Sequence, residues 1–328
     1  MENYSKLSKI ILGFVGFAFL FLILQQIIIN PLKIGRDFSP DDINWDDPII
    51  YERYIKHKYL INHINNYDSF IIGASAASNI RPENQLGGKW YAYTGAYMNL
   101  FETKRFLQEI ISKRKIKNLI ITISDENLKI DEISSYKEIC NVRPGFEYYP
   151  LPQSLEEKLF YYSKNFFSLP TLSIIQRKIE SLQVQNQDFQ PKPISELTQE
   201  EIKEMLPVSS LEILPERFEE IKEINDLAKE NNINIIFVYI PEYIKVYNVA
   251  AKKNIENKIK IAKIVPFYDF SGANEINNNP KNYMDLIHFN DEVGNLVLDR
   301  IFNQDKNNPP KIKNFGNYYK LNQSDITK

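Results

Sequence analysis

Three polar side chains, far apart in the chain, have the types that serine-based acyl transfer requires. Ser75 directly follows the apolar stretch "FIIGA", and His288 lies in "NYMDLIHFNDEVG" near the other end of the chain. Asp285 precedes His288 by three residues. A serine hydroxyl becomes a nucleophile when an imidazole takes its proton, and a carboxylate on the other ring nitrogen fixes the imidazole tautomer. The residue types and spacing therefore predict a Ser-His-Asp triad.

Each part of this triad also has an ordinary structural interpretation. Ser75 could simply cap a helix after a strand. A carboxylate three residues before a given histidine occurs by chance roughly one time in eight at this density of acids. The other two histidines, His57 and His63, precede the first predicted strand and offer no such pairing. The combination is more specific than its parts because Asp285 and His288 follow the last predicted strand of the sheet, whereas Ser75 follows the first.

Acyl transfer also needs hydrogen-bond donors for the oxyanion that forms on the substrate. The amide of Ser75 is one candidate. Gly95, in "YTGAYMN" after the second predicted strand, is another. Asn127, in "ISDENLK" after the third, is the candidate side-chain donor, although a solvated loop explains its position equally well.

The hydrophobic pattern predicts alternating strands and helices. Such alternation is typical of an α/β fold with a doubly wound, mostly parallel five-stranded sheet, whose ligands bind at the carboxyl ends of the strands. Ser75 follows the first strand, at that edge. The predicted strands are 69–73, 89–94, 116–124, 233–241 and 264–270, and the main predicted helices are 100–115, 215–232 and 290–302, with a short one around 51–64.

Four regions are expected along the chain. Residues 10–29 carry no charge and are long enough to cross ~30 Å of hydrocarbon as a helix. No Ala-x-Ala-like cleavage site follows, so the stretch predicts an uncleaved transmembrane anchor. The regions are a membrane anchor (1–31), a connector (32–66), an α/β domain (67–302) with a helical insertion at about 125–214, and a polar tail (303–328).

The motifs and their order resemble those of the SGNH/GDSL hydrolase superfamily. The matching blocks are "FIIGASAASNIRPE", "YTGAY", "IITISDEN" and "YMDLIHFNDEVGNLVL", within residues 67–125 and about 215–302. They look most like the membrane-anchored branch that includes alginate O-acetylation proteins and the lipoteichoic acid D-alanylation accessory protein. The resemblance implies an SGNH/flavodoxin-like fold. It also implies that Ser75 is the nucleophile, His288 the base, Asp285 its orienting carboxylate and the Gly95 amide an oxyanion donor.

The resemblance implies a membrane-anchored serine acyltransferase or esterase that acts on acyl esters of a cell-surface polysaccharide, with acetyl as the favoured acyl group. A multi-span membrane O-acyltransferase is the expected protein partner, and the expected location is the outer side of a bacterial cytoplasmic membrane. The third block reads "ISDEN" rather than G-x-N-D. That departure favours an alternative, a non-catalytic accessory protein that binds the glycan or the acyltransferase. An esterase tethered to the inner face is a third interpretation.

Composition and missing motifs exclude other classes of function. A net charge of −2 and a pI near 6.1 give no electrostatic reason to expect nucleic-acid binding. Cys140 is the single cysteine, so the sequence predicts no disulfide framework within the chain and no cysteine-based metal site. Because phosphate-binding, dinucleotide-binding and zinc-spacing motifs are also missing, the sequence predicts no cofactor and no metal.

Overall fold

The structure is a computed structural model that describes residues 2–29, 52–82, 89–95, 98–129, 192–206, 213–302 and 312–320. The chain divides into two units, Met1–Asn62 with Gly145–Gln190, and His63–Pro144 with Pro191–Lys328. Most of the predicted insertion at about 125–214, including Cys140, lies outside the described residues.

The first unit contributes two described helices, α1 (Glu2–Ile29) and α2 (Glu52–Asn62). The predicted anchor, residues 10–29, falls within α1. Side chains at 6–21 of α1 are exposed, and those at 22–29 are outside the described residues. Within the described part of the chain, no helix is both long and apolar enough to span a membrane. The anchor is therefore unsupported by the structure and stays a prediction.

The second unit is built on a six-stranded, mostly parallel sheet with the strand order 2-1-3-4-5-6. Strands β1 to β5 are parallel, and β6 runs antiparallel to β5 at the edge. The parallel part has the 2-1-3-4-5 order of flavodoxin-like sheets. The strands are β1 (Ser69–Ala74), β2 (Trp90–Gly95), β3 (Asn118–Ile123), β4 (Asn234–Tyr239), β5 (Phe267–Asp269) and β6 (Asn317–Tyr319).

Helices connect successive parallel strands, as the alternating pattern predicts. The helices from Leu100 to Ala262 all lie between consecutive strands in the chain, and the last helix follows the loop that carries His288. The helices are α3 (Leu100–Lys113), α4 (Asp125–Lys129), α5 (Gln199–Met205), α6 (Glu216–Glu230), α7 (Ile244–Tyr247), α8 (Ala251–Ala262) and α9 (Asp291–Phe302).

Both faces of the sheet are covered, which explains why its central strands are apolar almost throughout. Successive strand side chains point to opposite faces. On one face, Ile71, Ile120 and Val238 pack in one core cluster with Val293 and Val297 of α9. On the other face, α3 and α6 pack on each other and on strands β1 and β4, and the ring of Phe106 in α3 stacks on Tyr93 of β2.

Strand β6, helix α8 and the short helix α7 were not predicted. Strand β6 lies in the C-terminal tail that the sequence analysis treated as polar and peripheral, and it makes the sheet six-stranded rather than five-stranded. Helix α8 was missed because it buries polar residues, Asn254, Asn257 and Lys258, while Ile255 and Ile259 are exposed. That arrangement reverses the hydrophobic pattern by which surface helices are recognised.

Gly73 has a different role from the one its position suggested. A glycine two residues before Ser75 suggests a sharp turn at the end of the strand, but Gly73 lies inside β1 and is not among the described residues with positive φ. A Cβ at this position would lie 1.6 Å from Oγ1 of Thr122 and 3.0 Å from its Cβ. Gly73 is therefore required by the close approach of Thr122 on the neighbouring strand β3.

This packing predicts that Gly73→Ala lowers the free energy of unfolding by about 1–3 kcal/mol, the usual cost of overpacking a core. Thr122→Ala removes Oγ1, the atom 1.6 Å from the added Cβ, so the double variant should lose less than the sum of the two single losses. Urea unfolding of the four proteins measures the coupling. Gly13→Ala is the control, since a Cβ there meets nothing within 4 Å. Additive losses in the double variant would show that Thr122 is not the constraint.

Candidate active site

Ser75 lies directly after β1 at the carboxyl edge of the sheet, where the sequence analysis placed it. It opens a single 3-10 turn, Ser75–Ala77, closed by a hydrogen bond from the Ser78 amide to the Ser75 carbonyl oxygen at 2.9 Å. Ala76 and Ala77 are buried, whereas Ser75 is half-buried. A three-residue turn carries little of the dipole of a full helix, so this turn gives Ser75 little of the electrostatic support that a helix N-terminus provides.

His288 is held in a short hairpin before α9. Tyr283 and Phe289 form an isolated antiparallel bridge, and the Met284 amide donates to the His288 carbonyl oxygen at 2.8 Å. Asp285 lies within the hairpin, and its Oδ1 accepts hydrogen bonds from the amides of Ile287 and His288, both at 2.7 Å. The backbone around His288 is therefore fixed by the same carboxylate that faces its ring.

The three predicted triad side chains meet in one chain of hydrogen bonds. Nε2 of His288 lies 3.1 Å from Oγ of Ser75, although the two residues are 213 positions apart. Nδ1 of His288 lies 2.7 Å from Oδ2 of Asp285. With Nδ1 protonated and donating to Asp285, Nε2 is the nitrogen that can accept the serine proton. This is the arrangement that an activated serine requires.

Asp285 stays ionised over a wide pH range. Partial burial works in the opposite direction, but the hydrogen bonds from the His288 side chain and from the amides of His288 and Ile287 lower the pKa of the Asp285 carboxyl below its usual 3.8. A depressed pKa means that these bonds stabilise the fold above the pKa of the unfolded chain. That stabilisation is lost as the pH falls through the lower pKa of the folded state.

The loop between β5 and the hairpin is organised by Asn277, which is fully buried. Its Nδ2 donates to the carbonyl oxygens of Phe270 at 2.8 Å and Gly272 at 2.9 Å. Its Oδ1 accepts a hydrogen bond from the Tyr283 hydroxyl at 2.8 Å, at the first residue of the hairpin bridge. Burial, together with the nearby Glu242, raises the pKa of Tyr283, which keeps this hydroxyl a neutral donor.

The start of the same loop is anchored by a buried ion pair. Lys258 of α8 donates to Oδ2 of Asp269, the last residue of β5, at 2.9 Å, and both side chains are 7% exposed. Lys258 also donates to the Ser271 hydroxyl, which in turn donates to Oδ1 of Asp269 at 2.8 Å. Since every partner is hydrogen-bonded, this cluster fixes where the loop leaves the sheet.

Of the two candidate oxyanion donors, Gly95 lies beside the segment of Ser75, whereas the side chain of Asn127 is bonded to the backbone of its own turn. Gly95 ends β2 in register with Ala74, the residue directly before Ser75, so it lies beside the nucleophile segment as expected. Asn127 is buried at the carboxyl end of β3, where its Oδ1 accepts from the Ser124 amide and its Nδ2 donates to the Thr122 carbonyl oxygen, each at 2.9 Å. Asn127 therefore holds the start of α4, and neither of these bonds is directed at Ser75.

The sequence analysis missed two residues that shape this site. Asn277 occurs in "NEINNNP", a polar run with nothing to distinguish one asparagine from the next. Asn79 lies four residues after Ser75, within the quoted motif, and its Nδ2 donates to the Phe289 carbonyl oxygen at 2.5 Å. The signal for Asn79 was a polar residue inside an otherwise small and apolar motif.

Neither known protein families nor a cluster of possible metal ligands identifies the function of this site. No protein-family model matches the chain, and no curated protein matches it either. Among the residues that the structure describes, no group of three His, Cys, Asp or Glu side chains is arranged to hold a metal ion. The proposed chemistry therefore depends on the geometry of the triad.

Proposed function

We propose that the protein is a serine acyltransferase or esterase in which Ser75, His288 and Asp285 form the catalytic triad. The observation that carries the proposal is the pair of hydrogen bonds that links Ser75 to His288 at 3.1 Å and His288 to Asp285 at 2.7 Å. A serine, a histidine and an aspartate at these distances and in this order match the geometric definition of the triad, which does not depend on fold or sequence position.

In the first half of the reaction, Oγ of Ser75 attacks the carbonyl carbon of an ester and Nε2 of His288 takes the hydroxyl proton. Asp285 stabilises the imidazolium that forms. The amides of Ser75 and Gly95 are the proposed donors to the oxyanion. The tetrahedral intermediate then collapses, the C–O bond to the leaving alcohol breaks, and His288 returns the proton to that alcohol. The acyl group remains on Ser75.

In the second half, a hydroxyl group attacks the acyl-serine ester while His288 takes its proton. Water as acceptor gives hydrolysis, and a sugar hydroxyl gives transfer. The bond between the acyl carbon and Oγ of Ser75 then breaks, and His288 gives the proton back to Ser75. The same residues thus serve both reactions, and access of the acceptor decides between them.

The exposure of the triad supports a large acceptor. The side chain of Asp285 is 56% exposed and that of His288 is 29% exposed. Among the described residues, this exposure leaves room for a polymer to reach the acyl-serine. The proposal of acetyl esters, with a cell-surface polysaccharide as acceptor or donor, follows the resemblance to the SGNH/GDSL hydrolase superfamily.

The proposal includes membrane attachment through residues 10–29 and an extracytoplasmic catalytic unit. This location would bring the enzyme to its glycan and to a multi-span membrane O-acyltransferase. Protease digestion of intact cells and of spheroplasts tests it, since only an external domain is cleaved once the outer layers are removed. Protection in spheroplasts would instead indicate a domain on the inner face.

The direct test of function is incubation of the purified full chain with an acetylated polysaccharide or p-nitrophenyl acetate, with and without an unacetylated glycan. Acetate release supports the esterase, and acetyl groups on the added glycan support the transferase. Neither product, from protein that is folded by circular dichroism, would count against both.

A second candidate is a non-catalytic accessory protein with the same fold. The observation that favours it is the engagement of Asn127 with Ser124 and Thr122, which leaves the third oxyanion donor unassigned. A fluorophosphonate probe separates the two candidates, because it reacts with activated serines only. Labelling that is lost in Ser75→Ala supports the enzyme, whereas equal labelling of both proteins supports the accessory role.

The state of the triad predicts the pH dependence of the reaction. Because the Asp285 pKa is lowered, Asp285 keeps its charge on the acid side of neutral pH, and of the three triad residues only the base, His288, is expected to lose its function by protonation there. We therefore expect kcat/KM for p-nitrophenyl acetate to fall by about tenfold per pH unit on the acid side. A loss near a hundredfold per unit would mean that Asp285 titrates with His288 and would contradict the proposed roles.

A further inference from the structure

The segment that carries Ser75 and the hairpin that carries His288 are joined by a second hydrogen bond, away from the reacting atoms. Nδ2 of Asn79 donates to the carbonyl oxygen of Phe289 at 2.5 Å, across 210 positions of sequence. Asn79 is 7% exposed and Phe289 is fully buried. The bond therefore lies in the interior, where water does not compete for the amide.

Both ends of this bond are close to the triad along the chain. Asn79 is four residues after Ser75, and the intervening backbone is closed by the bonds Ser78 N to Ser75 O and Ile80 N to Ala77 O, at 2.9 and 3.0 Å. Phe289 directly follows His288 and forms the bridge with Tyr283. Because hydrogen bonds within each segment hold its backbone together, a displacement of Asn79 is expected to displace Ser75, and a displacement of Phe289 is expected to displace His288.

Helix α9 also packs closely against the backbone of Asn79. A Cβ on Gly294 would lie 1.8 Å from the carbonyl oxygen of Asn79 and 2.7 Å from its carbonyl carbon. The backbone of the Ser75 segment thus lies directly against the second turn of the helix that follows the hairpin. Asn79 therefore contacts the hairpin through its side chain and helix α9 through its backbone.

We propose that Asn79 is a positioning residue that sets the distance between Ser75 Oγ and His288 Nε2. The proposal rests on the catalytic roles proposed above. The 3.1 Å contact between Ser75 and His288 joins two segments from opposite ends of the sequence, and Asn79 supplies a buried side-chain bond between the same two segments. Loss of the amide leaves the Phe289 carbonyl oxygen without this donor, and the two segments can then separate.

A change in this distance affects proton transfer more than substrate binding. A displacement of about 1 Å at reacting groups can cost about 10²-fold in rate. We therefore expect Asn79→Ala to lower the second-order rate of fluorophosphonate labelling at Ser75 by about 10- to 100-fold. For ester turnover we expect kcat to fall by this factor while KM changes little.

The experiment uses the full chain and compares Asn79→Ala in two backgrounds, wild type and His288→Ala. If Asn79 acts through His288, its replacement slows labelling in the wild-type background and adds little once His288 is gone. Equal slowing in both backgrounds would mean that Asn79 only maintains the fold, and the proposal would be overturned. Labelling at the wild-type rate in Asn79→Ala would overturn it too.

Two further variants keep the result interpretable. Asn231→Ala removes a similar bond, from Nδ2 to the Leu227 carbonyl oxygen at 2.8 Å, at the end of α6, and should leave labelling unchanged. Asn79→Asp keeps the size but removes the donor, so it should behave as Asn79→Ala does. If both Asn79 variants fail to fold, the bond is structural and the proposal is wrong. If wild type itself is not labelled at Ser75, the proposed function fails first.

Discussion

Ser75→Ala is expected to lower ester turnover by about 10³-fold or more, with little change in stability. The hydroxyl is the group that forms the acyl intermediate, whereas the backbone amide of residue 75, a proposed oxyanion donor, is retained by alanine. The substitution also leaves the 3-10 turn intact, since that turn is closed by the backbone oxygen of Ser75. The measurement is kcat/KM for p-nitrophenyl acetate, together with the urea midpoint of each protein.

Ser78→Ala is the matched control for this prediction. Ser78 is half-buried in the same turn and contributes its backbone amide, which alanine retains, to the bond with Ser75. Its replacement should leave turnover near that of wild type. Turnover that persists in Ser75→Ala, or that falls equally in both variants, would show that Ser75 is not the nucleophile.

Asp285→Asn is expected to cost about 10³- to 10⁴-fold in kcat while the fold stays intact. The amide oxygen of asparagine can still accept the bonds from Ile287 and His288 that shape the hairpin. Its NH₂ group, however, would face Nδ1 of His288 and favour the tautomer with the proton on Nε2. That tautomer cannot take the proton of Ser75.

Asp291→Asn provides the comparison for Asp285. Asp291 is exposed in the first turn of α9, with Oδ1 at 3.8 Å from the Arg81 guanidinium. An exposed pair at this distance contributes little, so neutralising Asp291 should change kcat by less than about threefold. A loss in Asp285→Asn no larger than the loss in Asp291→Asn would mean that the carboxylate does not orient the imidazole.

Much of the fold could be predicted because its parallel strands are short, apolar and separated by amphipathic segments. Strands β1 and β4 and helices α3 and α6 begin and end within a few residues of their predicted bounds. Helix α8 could not be found in this way, since its buried face includes Asn254, Asn257 and Lys258. The pattern of a helix is informative only when its buried face is apolar.

The triad could be predicted for a related reason. Asp285 and His288 are three residues apart, so their contact is local and could be predicted from their spacing in the sequence. The contact of Ser75 with His288 followed from the rule that ligands bind at the carboxyl ends of parallel strands.

Contacts between distant segments left no such signal in the sequence. The bond from Asn79 to Phe289, and the approach of Thr122 to Gly73, depend on which elements become neighbours and in what register. Asn127 shows that the position of a residue in the sequence does not predict the partners of its side chain. Its position after β3 was right for an oxyanion donor, but its side chain bonds the backbone of its own turn. Position along the chain could not distinguish these two uses of an asparagine.

The most direct test of the account is the site and rate of phosphonylation by a fluorophosphonate, measured by mass spectrometry of the full chain and of its peptides. We expect one adduct per chain, on Ser75, with a rate at least about 10³-fold lower in His288→Ala. An adduct on another residue, or a Ser75 adduct that forms equally fast without His288, would contradict the claim that His288 activates Ser75.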